Sequence, residues 1–109
     1  EMNGSANAVL EAEAFIGGEP FAVLFGDDLM YTKETPDKRP ALKQLIDAYE
    51  TTGCTVLGCQ TGKAEDADKY GMIDPGPVKG RYTLASMGRF VFTPEIFDVI
   101  KTLKPHDNG

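Results

Sequence analysis

Apolar positions along the chain fall into short clusters whose spacing changes from one segment to the next. Ala6 to Ile16 is rich in alanine, leucine and glutamate, and Gly17-Gly18 ends the run, so this segment predicts one short helix. Phe21-Ala22-Val23-Leu24-Phe25 follows Glu19-Pro20 as a continuous apolar run of strand length. Because it does not alternate, it reads as a strand covered on both faces, at the centre of an α/β sheet. A polar stretch, Lys33 to Arg39, has no apolar period and predicts a surface loop, with Pro40 at the first helical position. Leu42, Leu45, Ile46 and Tyr49 then recur at i, i+3, i+4 and i+7, the stripe of an amphipathic helix, and Gly53 supplies a left-handed stop.

Thr55-Val56-Leu57-Gly58-Cys59 reads as the next strand, so strand, helix and strand succeed one another as in a right-handed parallel crossover. Tyr70 to Asp74 and Gly80 to Thr83 form two short extended pieces around the turn-rich Pro75-Gly76-Pro77-Val78-Lys79, which predicts a hairpin. Leu84 to Phe92 ends in the β-prone Arg89-Phe90-Val91-Phe92. Thr93-Pro94-Glu95 carries N-cap, N1 and acidic first-turn chemistry, and Ile96, Phe97, Val99, Ile100 and Leu103 are the expected buried face of a closing helix that stops before Pro105. No internal repeat or low-complexity tract interrupts these 109 residues, which fit one globular domain.

Composition narrows the function classes. The longest apolar run, Phe21 to Phe25, is far short of the roughly 20 residues that span a bilayer, and the first residues show no secretory pattern. Seventeen acidic against eleven basic side chains give a formal charge of −6, which repels a nucleic-acid backbone. A single phosphorylated ligand stays compatible with that charge when carboxylates hold a divalent cation. Cys54 and Cys59 lie five apart, on opposite faces if the segment is extended, and neither a CxxC pair nor a histidine cluster accompanies them. The expectation is two small buried hydrophobes in a reducing cytoplasm.

The candidate chemistry begins at Gly26-Asp27-Asp28, directly after the apolar strand, because ligands of open α/β sheets gather beyond the carboxyl ends of strands. Two adjacent carboxylates repel unless a cation lies between them and the ligand, so Asp27 and Asp28 are the candidate metal residues. A solvated turn has the same composition, and spacing alone leaves both readings open. Gly4-Ser5-Ala6 puts small residues and free N–H groups before a helix, suited to an electronegative ligand edge or to plain capping. Tyr70-Gly71 precedes an extended piece where a missing Cβ admits either a ligand or tight packing. His106 has no nucleophile or metal partner in the sequence and receives no role.

These stretches together resemble the bacterial UTP–glucose-1-phosphate uridylyltransferases of the sugar nucleotidyltransferase superfamily. The resemblance is carried by Ala8-Val9-Leu10, by Gly18 through Asp28, by Leu42-Lys43-Gln44-Leu45-Ile46, by Lys69 through Asp74, by Leu84 through Phe90 and by Thr93 through Phe97. It runs in family order over nearly the whole chain. It implies a Rossmann-like, GT-A-like α/β nucleotidyltransferase fold, a mixed sheet flanked by helices, seen incompletely. It also implies the reaction of UTP with glucose 1-phosphate to give UDP-glucose and pyrophosphate, with Mg2+ as cofactor, in a cytoplasmic homo-oligomer that binds neither nucleic-acid polymer nor membrane.

By the same resemblance Asp27 matches the family's metal-binding aspartate with Asp28 beside it. Gly4 matches the glycine near the nucleotide base, and Gly71 the one near the sugar. No residue matches one that performs the chemical step. The family's glycine-rich triphosphate loop has no counterpart here, its Glu-Lys-Pro sugar-contacting segment and a mobile loop are skipped between Thr83 and Leu84, and a later metal-binding aspartate is absent. Residues 1–109 are therefore expected to be the central portion of one nucleotidyltransferase domain, with little or no activity alone. The alternatives from other classes are a magnesium-binding receiver-like module without catalysis, and an assembly piece.

Overall fold

The computed structural model describes residues 4–32, 35–62, 72–73 and 83–104. In chain order the elements are α1 (Ser5–Leu10), α2 (Glu13–Ile16), β1 (Phe21–Leu24), α3 (Ala41–Thr52), β2 (Val56–Gly62), β3 (Met72–Ile73), β4 (Thr83–Phe92) and α4 (Ile96–Thr102). The single helix expected over 6–16 is two short ones. The Ala12 N–H donates to the Val9 carbonyl at 3.0 Å, an i to i−3 bond that tightens the chain and breaks the helical ladder at residues 11–12. Gly17 then closes α2 in the left-handed conformation at φ 66°, as its position predicts. Around α3 the expectation holds: Leu45 is buried, Leu42, Ile46 and Tyr49 are half-buried, and Gly53 ends the helix at φ 68°. Pro40 is its N-cap rather than its first helical residue, with an extended ψ of 145°.

Strand β4 lies between β1 and β2, and β3 also pairs with it. Every pairing among the described strands is antiparallel, with Phe21 opposite Phe92 and Val23 opposite Phe90 on one side of β4, and Val56 opposite Val91 on the other. Strands β1 and β2 therefore run in the same direction, as a crossover through α3 demands, yet β4 keeps them apart. The receiver-like alternative loses its ground here, since such domains are built on neighbouring parallel strands. Of the expected hairpin arms, Met72 and Ile73 pair with Ala85 and Leu84, Thr83 opens β4 opposite Gly62 of β2, and the rest lies outside the described residues.

Residues directly opposite across a pairing share a face of the sheet. Phe21, Val23, Phe90 and Phe92 thus form one face, which α4 covers by stacking Phe97 on Phe21 with ring centroids 5.1 Å apart. Phe90 stacks on Phe92 at 5.3 Å, and Phe25 meets Phe90 edge-on at 5.7 Å, so an aromatic file runs from α4 to the end of β1. The other face is covered by α3 over β2 and β4, where Leu45, Ala85 and Val91 are buried. Because α3 packs there and not over β1, β1 alternates between half-buried and exposed residues instead of being covered on both faces. Leu24 is 49% exposed.

Two further expectations change. In α4, Phe97 is buried and Ile96 and Ile100 are half-buried, but Val99 is exposed because the helix meets the sheet along a narrower stripe than its apolar content suggests, and Leu103, just past the helix end, is exposed as well. Both cysteines are exposed rather than buried: Cys54 follows the end of α3 ahead of β2, and Cys59 lies on the groove side of β2. No helix among the described residues is long and apolar enough to cross a membrane.

Candidate functional site

The candidate site forms where β1 leaves the sheet. After Leu24 the pairing continues by one bond, with the Phe25 N–H donating to the Gly88 carbonyl at 2.9 Å. The chain then turns through Gly26-Asp27-Asp28, and the Asp28 N–H donates back to the Phe25 carbonyl at 3.2 Å. Asp27 is exposed at the tip and Asp28 is half-buried. No hydrogen-bonded or ion-paired side chain meets the Asp27 carboxylate among the described residues.

Strand β4 shapes this turn from beneath through an irregularity of its own. Leu57 pairs with Phe90 and Cys59 pairs with Ser86, so three residues of β4, Met87 to Arg89, face the single residue Gly58 of β2. The excess is accommodated by a bulge in which Gly88 takes φ 64°, a conformation that favours glycine. A Cβ on Gly88 would fall on the Asp28 carboxylate oxygen and 3.1 Å from Phe25 Cβ, so the missing side chain is the space Asp28 occupies. Beside it, Arg89 Nη1 donates to the Phe25 carbonyl at 2.9 Å and to its neighbour Gly88 at 3.2 Å, while Nη2 donates to the Asp28 carbonyl. Sequence reasoning missed Gly88 and Arg89 as partners of the turn. A glycine inside a β-prone run signals a bulge, but nothing local says which loop the bulge supports.

Gly4 caps α1 with φ 87° and an extended ψ. The next two residues, Ser5 and Ala6, line an apolar cavity of about 190 Å3 together with Val23, Phe25 and Phe90. The structure thus brings the start of α1 and the end of β1 to one cavity, although the sequence separates them by some twenty residues. Gly71 lies outside the described residues.

On the other side of the turn, Leu29 opens a groove of about 730 Å3 whose walls are residues 29–32 and 35–37, α3 and β2. Its rim is fixed locally. Arg39 pairs with Asp37 at 2.5 Å and with Asp47 of α3 at 2.5 Å, and Lys43 also reaches Asp47. The Arg39 guanidinium holds the Asp37 carboxyl down at about 2, and the Lys43 ammonium, followed by Arg39, lowers that of Asp47.

Hard oxygen donors at an exposed turn suit a small divalent cation, which usually takes one or two protein carboxylates and completes its shell with water and substrate phosphates. Asp27 and Asp28 fit that pattern. A cage of three or more His, Cys, Asp or Glu side chains does not occur among the described residues, so the turn can hold an ion only as part of a shared shell.

The chain as a whole matches a known class. The nucleotidyl transferase family profile covers residues 1–109, and the chain belongs to that family. Within it, the chain is 43% identical over 119 residues to the UTP–glucose-1-phosphate uridylyltransferase of Staphylococcus epidermidis, covering 94% of this chain and 40% of that protein. It is 40% identical over 121 residues to the enzyme of the same name from Staphylococcus haemolyticus, again covering 40% of its length. Among solved structures it is similar to a UDP-glucose pyrophosphorylase complexed with UDP-glucose, with a TM-score of 0.83 and 31% identity over 99% of this chain and 46% of that one. The chain spans about 40% of the length of the curated relatives it matches.

Proposed function

We propose that these residues are the central part of a UTP–glucose-1-phosphate uridylyltransferase, and that the whole protein makes UDP-glucose and pyrophosphate. The observation that carries this reading is the exposed Asp27 carboxylate, unpartnered among the described residues, on a turn held at the end of β1, in a chain whose relatives bear that enzyme's name. In the reaction a phosphate oxygen of glucose 1-phosphate forms a bond to the α-phosphorus of UTP. The bond from that phosphorus to the bridging oxygen of the β-phosphate breaks, and pyrophosphate leaves with the electron pair.

Asp27 would hold Mg2+ directly, and Asp28 would orient the turn. When bound, Mg2+ offsets the charge of the crowded phosphates. Gly4, at the start of α1, leaves room for the nucleotide base beside the cavity that Ser5 and Phe25 share. Gly71 is assigned to the sugar by resemblance. The groups that perform the transfer belong to segments outside these residues, so residues 1–109 alone turn over little or no substrate.

The length of the match supports a gap within the chain. The Staphylococcus epidermidis match runs over 119 positions, whereas 94% of 109 residues is about 102, so about 17 positions have no residue here. We assign the gap to the junction of Thr83 and Leu84, where the sugar-contacting segment of the family falls. We take the whole protein to be cytoplasmic and self-associating, as the resemblance implies.

The test uses the longest natural chain that carries these residues, with UTP, glucose 1-phosphate and Mg2+, and reads pyrophosphate release. Asp27→Ala is expected to lower turnover by a factor of about 1,000, the scale of several kcal/mol of charge stabilisation, with an unchanged circular-dichroism spectrum. Full activity in that variant rules the assignment out.

A further inference from the structure

We propose that Arg89 is a positioning residue for the ion-binding turn, acting through the backbone carbonyls at its two ends and not through its carboxylates. The proposal rests on the reading of Gly26 to Asp28 as the turn that holds the cation. Arg89 Nη1 reaches the carbonyl of Phe25, where the turn begins, and Nη2 reaches the carbonyl of Asp28, where it ends. One rigid planar group therefore fixes both ends of a three-residue excursion. Because the Phe25 carbonyl also accepts the Asp28 N–H, the turn and the guanidinium share an acceptor, and displacement of either disturbs the other.

The backbone of Arg89 is set in place by two glycines. Gly58 lies opposite the bulge, where a Cβ would come 2.9 Å from the Arg89 carbonyl oxygen and 3.2 Å from Arg89 Cβ. Gly88 leaves the space filled by the Asp28 carboxylate. Residues from two strands thus set the base of the turn and the space that the Asp28 carboxylate fills. The cationic group donates to carbonyls at the base of the turn and not to its carboxylates, and the Asp27 carboxylate stays unpaired among the described residues. Loss of an outer group that orients metal ligands typically costs about 10- to 100-fold in metal affinity.

The sign of the effect separates positioning from plain electrostatics. Removing a positive charge beside a cation site strengthens cation binding by Coulomb's law. Loss of positioning weakens it. The experiment titrates Mn2+ against the longest natural chain carrying these residues, with UDP-glucose present, and counts the free ion by electron paramagnetic resonance. Exchange of the Asp28 amide hydrogen and the thermal midpoint are followed in parallel.

Arg89→Ala is expected to raise the Mn2+ dissociation constant by a factor of about 10 to 100 and to speed Asp28 exchange. Arg89→Lys keeps the charge but offers a single point donor, and its dissociation constant is expected to fall between those of wild type and Arg89→Ala. Arg39→Ala removes an equal charge from the neighbouring loop and is expected to leave Mn2+ affinity unchanged. Equal or tighter Mn2+ binding in both Arg89 variants, with wild-type binding intact, overturns the proposal and leaves Arg89 as a structural link between β1 and β4. A wild-type protein that binds no Mn2+ removes the ion-site reading itself, and this proposal with it.

Discussion

Two acidic loops in this chain are each fastened by an arginine, and the two fastenings differ in reach. Arg39 grips Asp37, two residues away, and Asp47, eight residues away, using carboxylate partners in water. Arg89 grips the carbonyls of Phe25 and Asp28, 64 and 61 residues away, using backbone partners that exist as a pair only once β1 has docked on β4. The first is a local latch that the unfolded chain can sample, is exposed, and is weakened by salt. The second depends on strand pairing and on two glycines that no local rule connects. The latch shapes the rim of a groove, whereas the clamp sets the geometry of the candidate site. Precision at the site therefore comes from the long-range contact.

The most severe way to break this contrast is Gly58→Val. Its side chain meets strand backbone rather than a yielding side-chain tip, so a loss of about 2 to 3 kcal/mol in unfolding free energy is expected. Denaturant unfolding measures it, and amide exchange should speed at Asp28 while the Arg39 latch stays protected. An unperturbed turn in a protein destabilised this far would show that clamp and bulge are independent.

A smaller effect is expected from Gly88→Ala, about 1 to 2 kcal/mol for the left-handed conformation at φ 64°. The added Cβ also displaces the Asp28 carboxylate. Thermal unfolding gives the first quantity and the Asp28 side-chain chemical shift the second. A shift unchanged from wild type would separate the glycine from the turn.

The smallest effect belongs to the latch. Arg39→Ala should lower the thermal midpoint less than either glycine variant, because the ion pair is exposed. Its signature lies in pH. Asp37 titrates at about 2 when folded against an ordinary 3.8, a depressed value, so the latch contributes fully above 3.8 and is lost as pH falls through about 2. Carboxyl carbon shifts in Arg39→Ala should return the Asp37 midpoint toward 3.8. A wild-type midpoint already at 3.8 would mean that the latch does not form in solution.

The acidic turn itself was legible because it follows an apolar run of strand length, and strand ends are where such folds bind ligands. What supports it was not, since Arg89 read locally as the start of a β-prone stretch and nothing tied Gly88 to the turn. The groove was equally hidden: its walls come from residues 29–32 and 35–37, α3 and β2, which meet only in three dimensions.

The sequence by itself determined α3, with its 3.6-residue stripe and glycine stop, the positions of β1, β2 and β4, and the placement of two carboxylates at a strand end. Those features depend on side-chain period, propensity and turn chemistry, which act over a few residues. Only the tertiary structure decided that β4 runs between β1 and β2, that β1 is open on one face, and that Arg89 closes over the acidic turn. Strand pairing is chosen by contacts distant in sequence, and the same alternating pattern satisfies more than one neighbour until the whole sheet is assembled.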